Sequence, residues 1–336
     1  MKKNTVYLQA SRQQGRTLLE LMISITIGLV VLGAVSVVYL ATTATSRQSL
    51  STSRMSEDAA IIMNMLGNNL RMAGYSTPRT LVSMGSALVA GRKVSIPDRN
   101  FTGYAIRGCD FGFSSAVTTT TTFENLACST TEGLPAAFAV RYEGDVFNTF
   151  PVNKGSSNVD GDPSDCLSAG IEKDDPLKGA ASSDYMPGTF YPQVEARFSI
   201  ATSASNGTLE LYCAGSGGAG NRFTRQPLMQ FVESMVINYG IADDSISGNV
   251  VRYIKQTDLD ALAGTVAAHW SRVVNVKLCI VMRSDKPDIN QIKDKVTGKY
   301  PFFIDCKGDS VESADGYLRR SFTSVFTLRN RADFSD

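Results

Sequence analysis

Three sets of side chains in this sequence are of types that do chemistry: one histidine, six cysteines and a run of clustered carboxylates. His269 is the only imidazole in 336 residues and stands beside Trp270. Acid–base work uses a histidine whose pKa is tuned by a partner. A lone imidazole beside a large aromatic side chain reads instead as structural. No G-x-S-x-G elbow occurs, and no spacing pairs a cysteine with the histidine. Gly215 to Gly220 is glycine-rich, but no Lys-Ser or Lys-Thr follows it. It fails as a phosphate loop and reads as a flexible connection. No catalytic residue and no cofactor are expected.

The cysteines are Cys109, Cys128, Cys166, Cys213, Cys279 and Cys306. None forms C-x-x-C or another metal-ligand spacing, so zinc is not expected. An even count spread over a long chain reads as disulfides in an oxidising compartment. Six cysteines allow fifteen pairings. The sequential set, Cys109–Cys128, Cys166–Cys213 and Cys279–Cys306, links neighbouring segments and is the expectation, each bridge contributing about 3–4 kcal/mol. Asp160, Asp162 and Asp165, followed by Glu172, Asp174 and Asp175, offer the oxygen donors that Ca²⁺ takes. Pro163 breaks the D-x-D-x-D-G run, so a solvated acidic loop is expected and no metal is assigned.

One further carboxylate is placed where a charge is costly. Glu20 heads an apolar stretch in which the next charge is Arg47. Leu21 to Leu40 is long enough, at about 1.5 Å per residue, to cross a hydrocarbon core of about 30 Å. An acidic residue at the centre of such a span costs roughly 2.5–3.5 kcal/mol on insertion scales. It persists where something pairs with it. Residues 1–15 are short and basic, with Lys2, Lys3 and Arg12. No small-residue site closes the apolar run, and the obvious small residue, Gly15, precedes it. Cleavage after Gly15 would keep the helix, start the chain at Arg16 and make Glu20 the fifth residue, about one turn from a free amine. Opposite charges attract far more strongly in an apolar medium than in water.

The run Gly15, Thr17-Leu18-Leu19-Glu20 and the apolar helix behind it resembles the class III signal of type IV pilins and pseudopilins, with Arg16 where that family usually places Phe. The plain alternative is an uncleaved signal anchor. Met55, Ala59, Ile62, Leu66, Leu70 and Ala73 then recur at three- and four-residue spacing, one face of an amphipathic helix. Gly74 and Pro78 signal its end. One helix from about 17 to 74 is expected, the alternative being a break near Ser46 to Thr52.

The helix ending Arg71-Met72-Ala73-Gly74-Tyr75 resembles the PilW family of minor type IV pilins. So do Val232-Glu233-Ser234-Met235-Val236 leading to Tyr239-Gly240, and Trp270-x-x-Val273 running into Val281-Met282-Arg283-Ser284. Arg319-Arg320 followed by Leu328-Arg329-Asn330 extends the likeness. The resemblance implies an α+β, ladle-shaped fold: a long N-terminal helix packed on a predominantly antiparallel β-sheet domain. It divides the chain into a leader (1–15), a transmembrane and assembly half-helix (16–46), and a periplasmic β-rich domain with the rest of the helix (47–336), including loops at 153–188 and 214–222.

Strands are expected at Ala136–Tyr142, Ala196–Ile200 and Leu209–Cys213, the last two joined at Asn206-Gly207. Further strands are expected at Phe231–Ile241, Val250–Lys255, from Arg272 onward and at Tyr317–Arg329. The stretch from Pro78 to Gly108 reads as loop-rich. Arg319, Arg320, Arg329 and Arg331 lack the interleaved aromatics of a nucleic-acid surface and read as charges that discourage edge pairing.

By the resemblance, a prepilin peptidase cuts between Gly15 and Arg16, the amine of Arg16 is methylated and Glu20 serves assembly. The protein waits in the inner membrane with its domain in the periplasm, then helps prime pilus assembly and sits at the tip. Partners are other minor pilins, the major pilin, the inner-membrane assembly platform, a PilY-type tip adhesin and, before assembly, lipid. Direct binding to nucleic acid is not expected. The rival readings are a J-like minor pseudopilin of a type II secretion system and an anchored periplasmic enzyme or binding module. Net charge, +1 for the whole chain and slightly negative without the leader, points to no polyanionic partner.

Overall fold

The computed structural model describes residues 17–76, 87–89, 92–94, 104–114, 121–152, 161–171, 192–217, 223–243, 248–288, 291–313 and 315–330. Gly15, Arg16, Asp160, Glu172, Asp174, Asp175, Gly218 to Gly220 and Arg331 lie outside them, as does most of 153–188. Contacts divide the chain into two units, Met1–Leu50 and Ser51–Asp336.

Helix α1 is assigned without interruption over Leu18–Met72, so no break occurs near Ser46 to Thr52. That stretch lacks Pro and Gly, and nothing in it removes a helical hydrogen bond. In the second unit, Met55, Ala59, Ile62, Leu66 and Leu70 are all buried, followed by Ala73. This is the face that the spacing marks.

The unit is built on antiparallel sheets. A short hairpin joins β1 (Ala87–Val89) and β2 (Arg92–Val94). A five-stranded meander follows: β3 (Ile106–Cys109), β4 (Ala137–Glu143), β5 (Gln193–Thr202), β6 (Leu209–Gly215) and β7 (Thr224–Gln230), in that spatial order. The β5–β6 turn contains Asn206-Gly207, with Gly207 at φ 70°. A second sheet is formed by β8 (Val232–Ile241), β9 (Arg252–Ile254), β10 (Val273–Pro287) and β13 (Tyr317–Thr327), in spatial order β13-β10-β8-β9. Two short helices, α2 (Gln256–Asp260) and α3 (Val266–Ser271), lie between β9 and β10. A small hairpin, β11 (Phe302–Ile304) with β12 (Ser310–Glu312), lies between β10 and β13.

The chain passes from the first sheet to the second through one residue, Phe231, held at φ 63°. A non-glycine residue in the left-handed region costs energy and persists where its surroundings fix it. Here Phe231 O accepts from Arg283 N at 2.9 Å, and the Arg283 guanidinium lies 5.6 Å from the Phe231 ring. One continuous core joins the buried face of α1 to Phe138, Val140, Ala196 and Phe198 of the meander and to Ile237, Tyr239, Leu278 and Ile280 of the second sheet.

Several expectations need correction. The loop set at 214–222 begins later, because β6 runs through Gly215. A Cβ there would lie 2.0 Å from Asp165 Oδ2, so glycine lets the ladder continue beneath that carboxylate. The loop-rich stretch ending at Gly108 contains β1, β2 and the start of β3. β3 carries little β-propensity of its own and is held by pairing with β4. The strand from Arg272, β10, buries Val274, Val276, Leu278, Ile280 and Met282 on one face; on the other, Lys277 is exposed while Cys279 and Val281 are buried, and the Cys279–Cys306 disulfide ties the segment leading to β12 onto it. β7, whose Pro227 suits an edge strand, and helices α2 and α3 carry no pattern long enough to read in sequence.

Candidate assembly site

The head of α1 is where the sequence places its expensive charge. Thr17 precedes the first helical residue, and its Oγ1 accepts from Glu20 N at 3.3 Å. Glu20 Oε2 accepts in return from Thr17 N at 3.1 Å. This is a capping box: two orphan backbone donors at a helix start are satisfied by two side chains three residues apart. Glu20 therefore has an intrachain task besides any intermolecular one. Its sequence signal is Thr-x-x-Glu ahead of an apolar run.

The helix behind the cap turns six of its serine and threonine hydroxyls back onto its own carbonyls. Ser24 Oγ donates to Glu20 O at 2.7 Å, Ser36 Oγ to Leu32 O at 2.8 Å and Thr42 Oγ1 to Val38 O at 2.8 Å. Thr26, Thr43 and Thr45 return their hydroxyls in the same way to carbonyls three or four residues back. A hydroxyl bonded to its own helix carries no unsatisfied donor into lipid. The most apolar 18-residue window has no buried side chain. Leu18, Leu19, Val30 and Val37 each expose two thirds or more of their surface.

In the second unit, the motifs that are distant in sequence meet. Gly67 faces the Phe326 ring so closely that a Cβ would lie 2.3 Å from it, and the Arg71 guanidinium lies 5.4 Å from the same ring. Gly74 has φ 78°, and a Cβ there would fall 1.8 Å from Asn330 O. Asn330 Nδ2 donates to Arg71 O at 3.0 Å, satisfying a terminal carbonyl of α1. The helix end and the last residues of the C-terminal strand are thus one joint.

A second convergence corrects the view of Arg319 as an edge charge. Arg319 forks onto Glu233 at 2.6 and 2.9 Å and onto Asp315 at 2.5 and 2.7 Å. Its side chain is only 11% exposed. Arg283 adds a longer pairing to Glu233 at 3.7 Å. The hydrogen bonds from Arg319 hold the Asp315 carboxyl down at about 2, below the usual range. Arg320 is exposed, with its guanidinium 6.0 Å from the Phe322 ring.

The other candidates are engaged in contacts within the fold. His269 is buried and its Nε2 lies 3.0 Å from Ala263 O, inside the α2–α3 segment. Trp270 Nε1 donates to Asp260 Oδ1 at 2.9 Å, and Arg107 Nη1 bonds the same oxygen at 2.6 Å. Burial alone would raise the Asp260 carboxyl, but hydrogen bonds from Arg107, Gln256 and Trp270 outweigh it and lower its pKa. The Asp165 carboxylate accepts from the backbone N–H groups of Leu167, Ala169 and Gly217 at 2.8–3.0 Å. Asp162 lies in a bridge to Val152. Among the described residues, no three His, Cys, Asp or Glu side chains are arranged to hold a metal. Disulfides join Cys109 to Cys128, Cys166 to Cys213 and Cys279 to Cys306.

Comparison with known proteins bears on these two regions. Residues 10–36 match the prokaryotic N-terminal methylation motif. Residues 197–330 match the family described as type IV pilus-assembly protein W, PilW. The chain carries a PilW domain behind a prepilin-type signal. A solved type IV-like pilin from Thermus thermophilus aligns over 83% of this chain and 99% of its own, at 11% identity and a TM-score of 0.36. Among curated proteins none matches. The PilW span includes Glu233, Arg283, Arg319, Phe326 and Asn330, the residues that build the ion cluster and close on the end of α1. The prepilin-type signal with the apolar helix makes a single-pass membrane anchor.

Proposed function

We propose that this protein is a minor type IV pilin that helps prime pilus assembly and takes its place at or near the tip. In this reading a prepilin peptidase cuts between Gly15 and Arg16, and the Arg16 amine is methylated. The domain faces the periplasm until the helix leaves the membrane for the bundle of like helices in the fibre. The observation that carries the reading is the capped Glu20 at the head of an apolar stretch with no buried side chain in its most apolar window, in a chain whose C-terminal strands match PilW. A helix of this kind exchanges lipid for neighbouring apolar helices at little hydrophobic cost. The PilW match supports a pilus over a secretion pseudopilus. The same reading gives the protein other minor pilins, the major pilin and the assembly platform as partners.

Two substitutions test the role of Glu20. Glu20→Ala removes both cap and charge; Glu20→Gln keeps an acceptor for Thr17 N but loses the charge. Pairing with a neighbouring amine predicts that surface piliation falls severalfold in both, while unfolding of the disulfide-bearing unit is unchanged. Wild-type piliation in Glu20→Ala would sink the assembly role. Rescue by Glu20→Gln alone would assign that role to the cap rather than the charge. N-terminal sequencing of the mature protein is expected to begin at Arg16.

A further inference from the structure

The five-stranded sheet has one apolar face, turned to the core, and one face lined with arginine. Register fixes the row: Arg107 on β3 pairs with Ala139 on β4, Ala139 with Arg197 on β5, Arg197 with Ala214 on β6, and Ala214 with Arg225 on β7. Three arginines are therefore spaced by two alanines across the sheet. Arg141, two residues from Ala139 and paired with Glu195, adds a fourth on the same face.

Each guanidinium lies over an aromatic ring: Arg107 over Trp270 at 5.1 Å, Arg141 over Phe123 at 4.6 Å, Arg197 over Phe223 at 3.8 Å and Arg225 over Tyr212 at 4.0 Å. Three of the four also have a carboxylate. Arg107 pairs with Asp260, Arg141 with Glu124 and Arg197 with Glu195. Among the described residues, no carboxylate pairs with Arg225. Glu210 shares the face but is held by Tyr212 Oη at 3.0 Å and Asn206 Nδ2 at 3.4 Å.

The unpaired end of the row also gathers unmet polar atoms. Arg225 Nε, Arg197 Nη1 and Ser199 Oγ are all buried with no hydrogen-bond partner. Arg197 is completely buried, its Nε used by Glu195 and its Nη2 by Thr121 O. Ser199 is two residues along β5 from Arg197, hence on the same face and roughly 7 Å away along the strand. A buried donor left unmet is destabilising, more so on a charged group, and planar N–H groups of arginine suit the oxygens of carboxylate and phosphate.

We propose that Arg225 Nε, Arg197 Nη1 and Ser199 Oγ form a binding site for one oxyanion group, phosphate or carboxylate, on the arginine face of the five-stranded sheet. Arg225 stands on the edge strand and is half-buried, so the group enters from the rim of the sheet. The site does not depend on the pilin assignment.

Thermal unfolding of the full chain in detergent tests it, in sodium phosphate, sodium acetate and sodium chloride at equal ionic strength. A saturable rise in Tm of about 2–4 °C is expected in phosphate or acetate over chloride. Phosphate alone indicates a phosphate group; a response to acetate indicates a carboxylate. Arg225→Leu abolishes the rise, and Ser199→Ala raises the half-saturating concentration severalfold. Equal Tm in the three salts, or a full rise in Arg225→Leu, overturns the proposal. Should Arg225→Leu fail to fold, an unchanged half-saturation in Ser199→Ala overturns it.

Discussion

From Leu18 to Leu50, the hydroxyl of Ser36 bonds a carbonyl four residues away, and those of Ser24, Thr42 and Thr45 do the same. From Ser51 onward, Arg107 reaches Asp260 across 153 residues, and Arg319 reaches Glu233 across 86. The first stretch returns these hydroxyls to its own backbone, as a membrane span requires, because lipid supplies no partners. The second satisfies its polar groups at long range because folding brings partners to it. Removing a polar group should therefore have unequal consequences in the two regions.

The largest effect is expected at Asp260, whose carboxylate holds Arg107, Gln256 and Trp270 together. Asp260→Ala leaves the Arg107 guanidinium, whose side chain is 9% exposed, without its counter-charge. Breaking a buried pair from one side costs about 3–5 kcal/mol. Denaturant unfolding of the full chain should show that loss. A change under about 1 kcal/mol would mean that the pair is effectively solvated, and the contrast between the regions would weaken.

How much of this was readable beforehand follows the same division. The apolar span, the buried stripe from Met55 to Ala73 and the strands at 137–143 and 232–241 are written in local periodicity. The capping box is also written locally, in Thr17 and Glu20, three residues apart. The joint of Gly67 and Gly74 with Phe326 and Asn330, and the cluster of Glu233, Arg283 and Arg319, join segments far apart in the chain. Each motif was visible, but only the fold states that they touch. The arginine row was hidden for a related reason. One arginine per strand looks like an ordinary polar position, and the row appears only when the register of five strands is known. β7 and the two short helices lack a pattern of sufficient length.

A smaller effect tests the ion cluster by pH. Asp315 has a folded pKa of about 2, lowered by hydrogen bonds from Arg319, against roughly 3.9 in an unfolded chain. The unfolded state then binds more protons between the two values, so the contribution is fully present above about pH 4 and is lost as pH falls through 2. Asp315→Asn should lower Tm at pH 7, and the gap from wild type should close progressively from pH 4 towards pH 2. A gap that is constant over that range would indicate that Asp315 contributes through its turn rather than its charge.

The smallest effect is expected in the apolar helix. Ser36→Ala removes a hydroxyl whose only hydrogen bond among the described residues is to Leu32 O. That carbonyl keeps its helical N–H partner, so the change leaves no orphan donor and no orphan acceptor, and alanine has the higher helix propensity. Unfolding of the full chain in detergent should change by less than about 0.5 kcal/mol, and retention in the membrane fraction should be unaltered. Asp260→Ala and Ser36→Ala each delete one polar group with short hydrogen bonds. A loss at Ser36 comparable to that at Asp260 would mean that this hydroxyl has a partner beyond its own helix, and the apolar stretch would then have to be treated as a packed interface rather than a span that is satisfied alone.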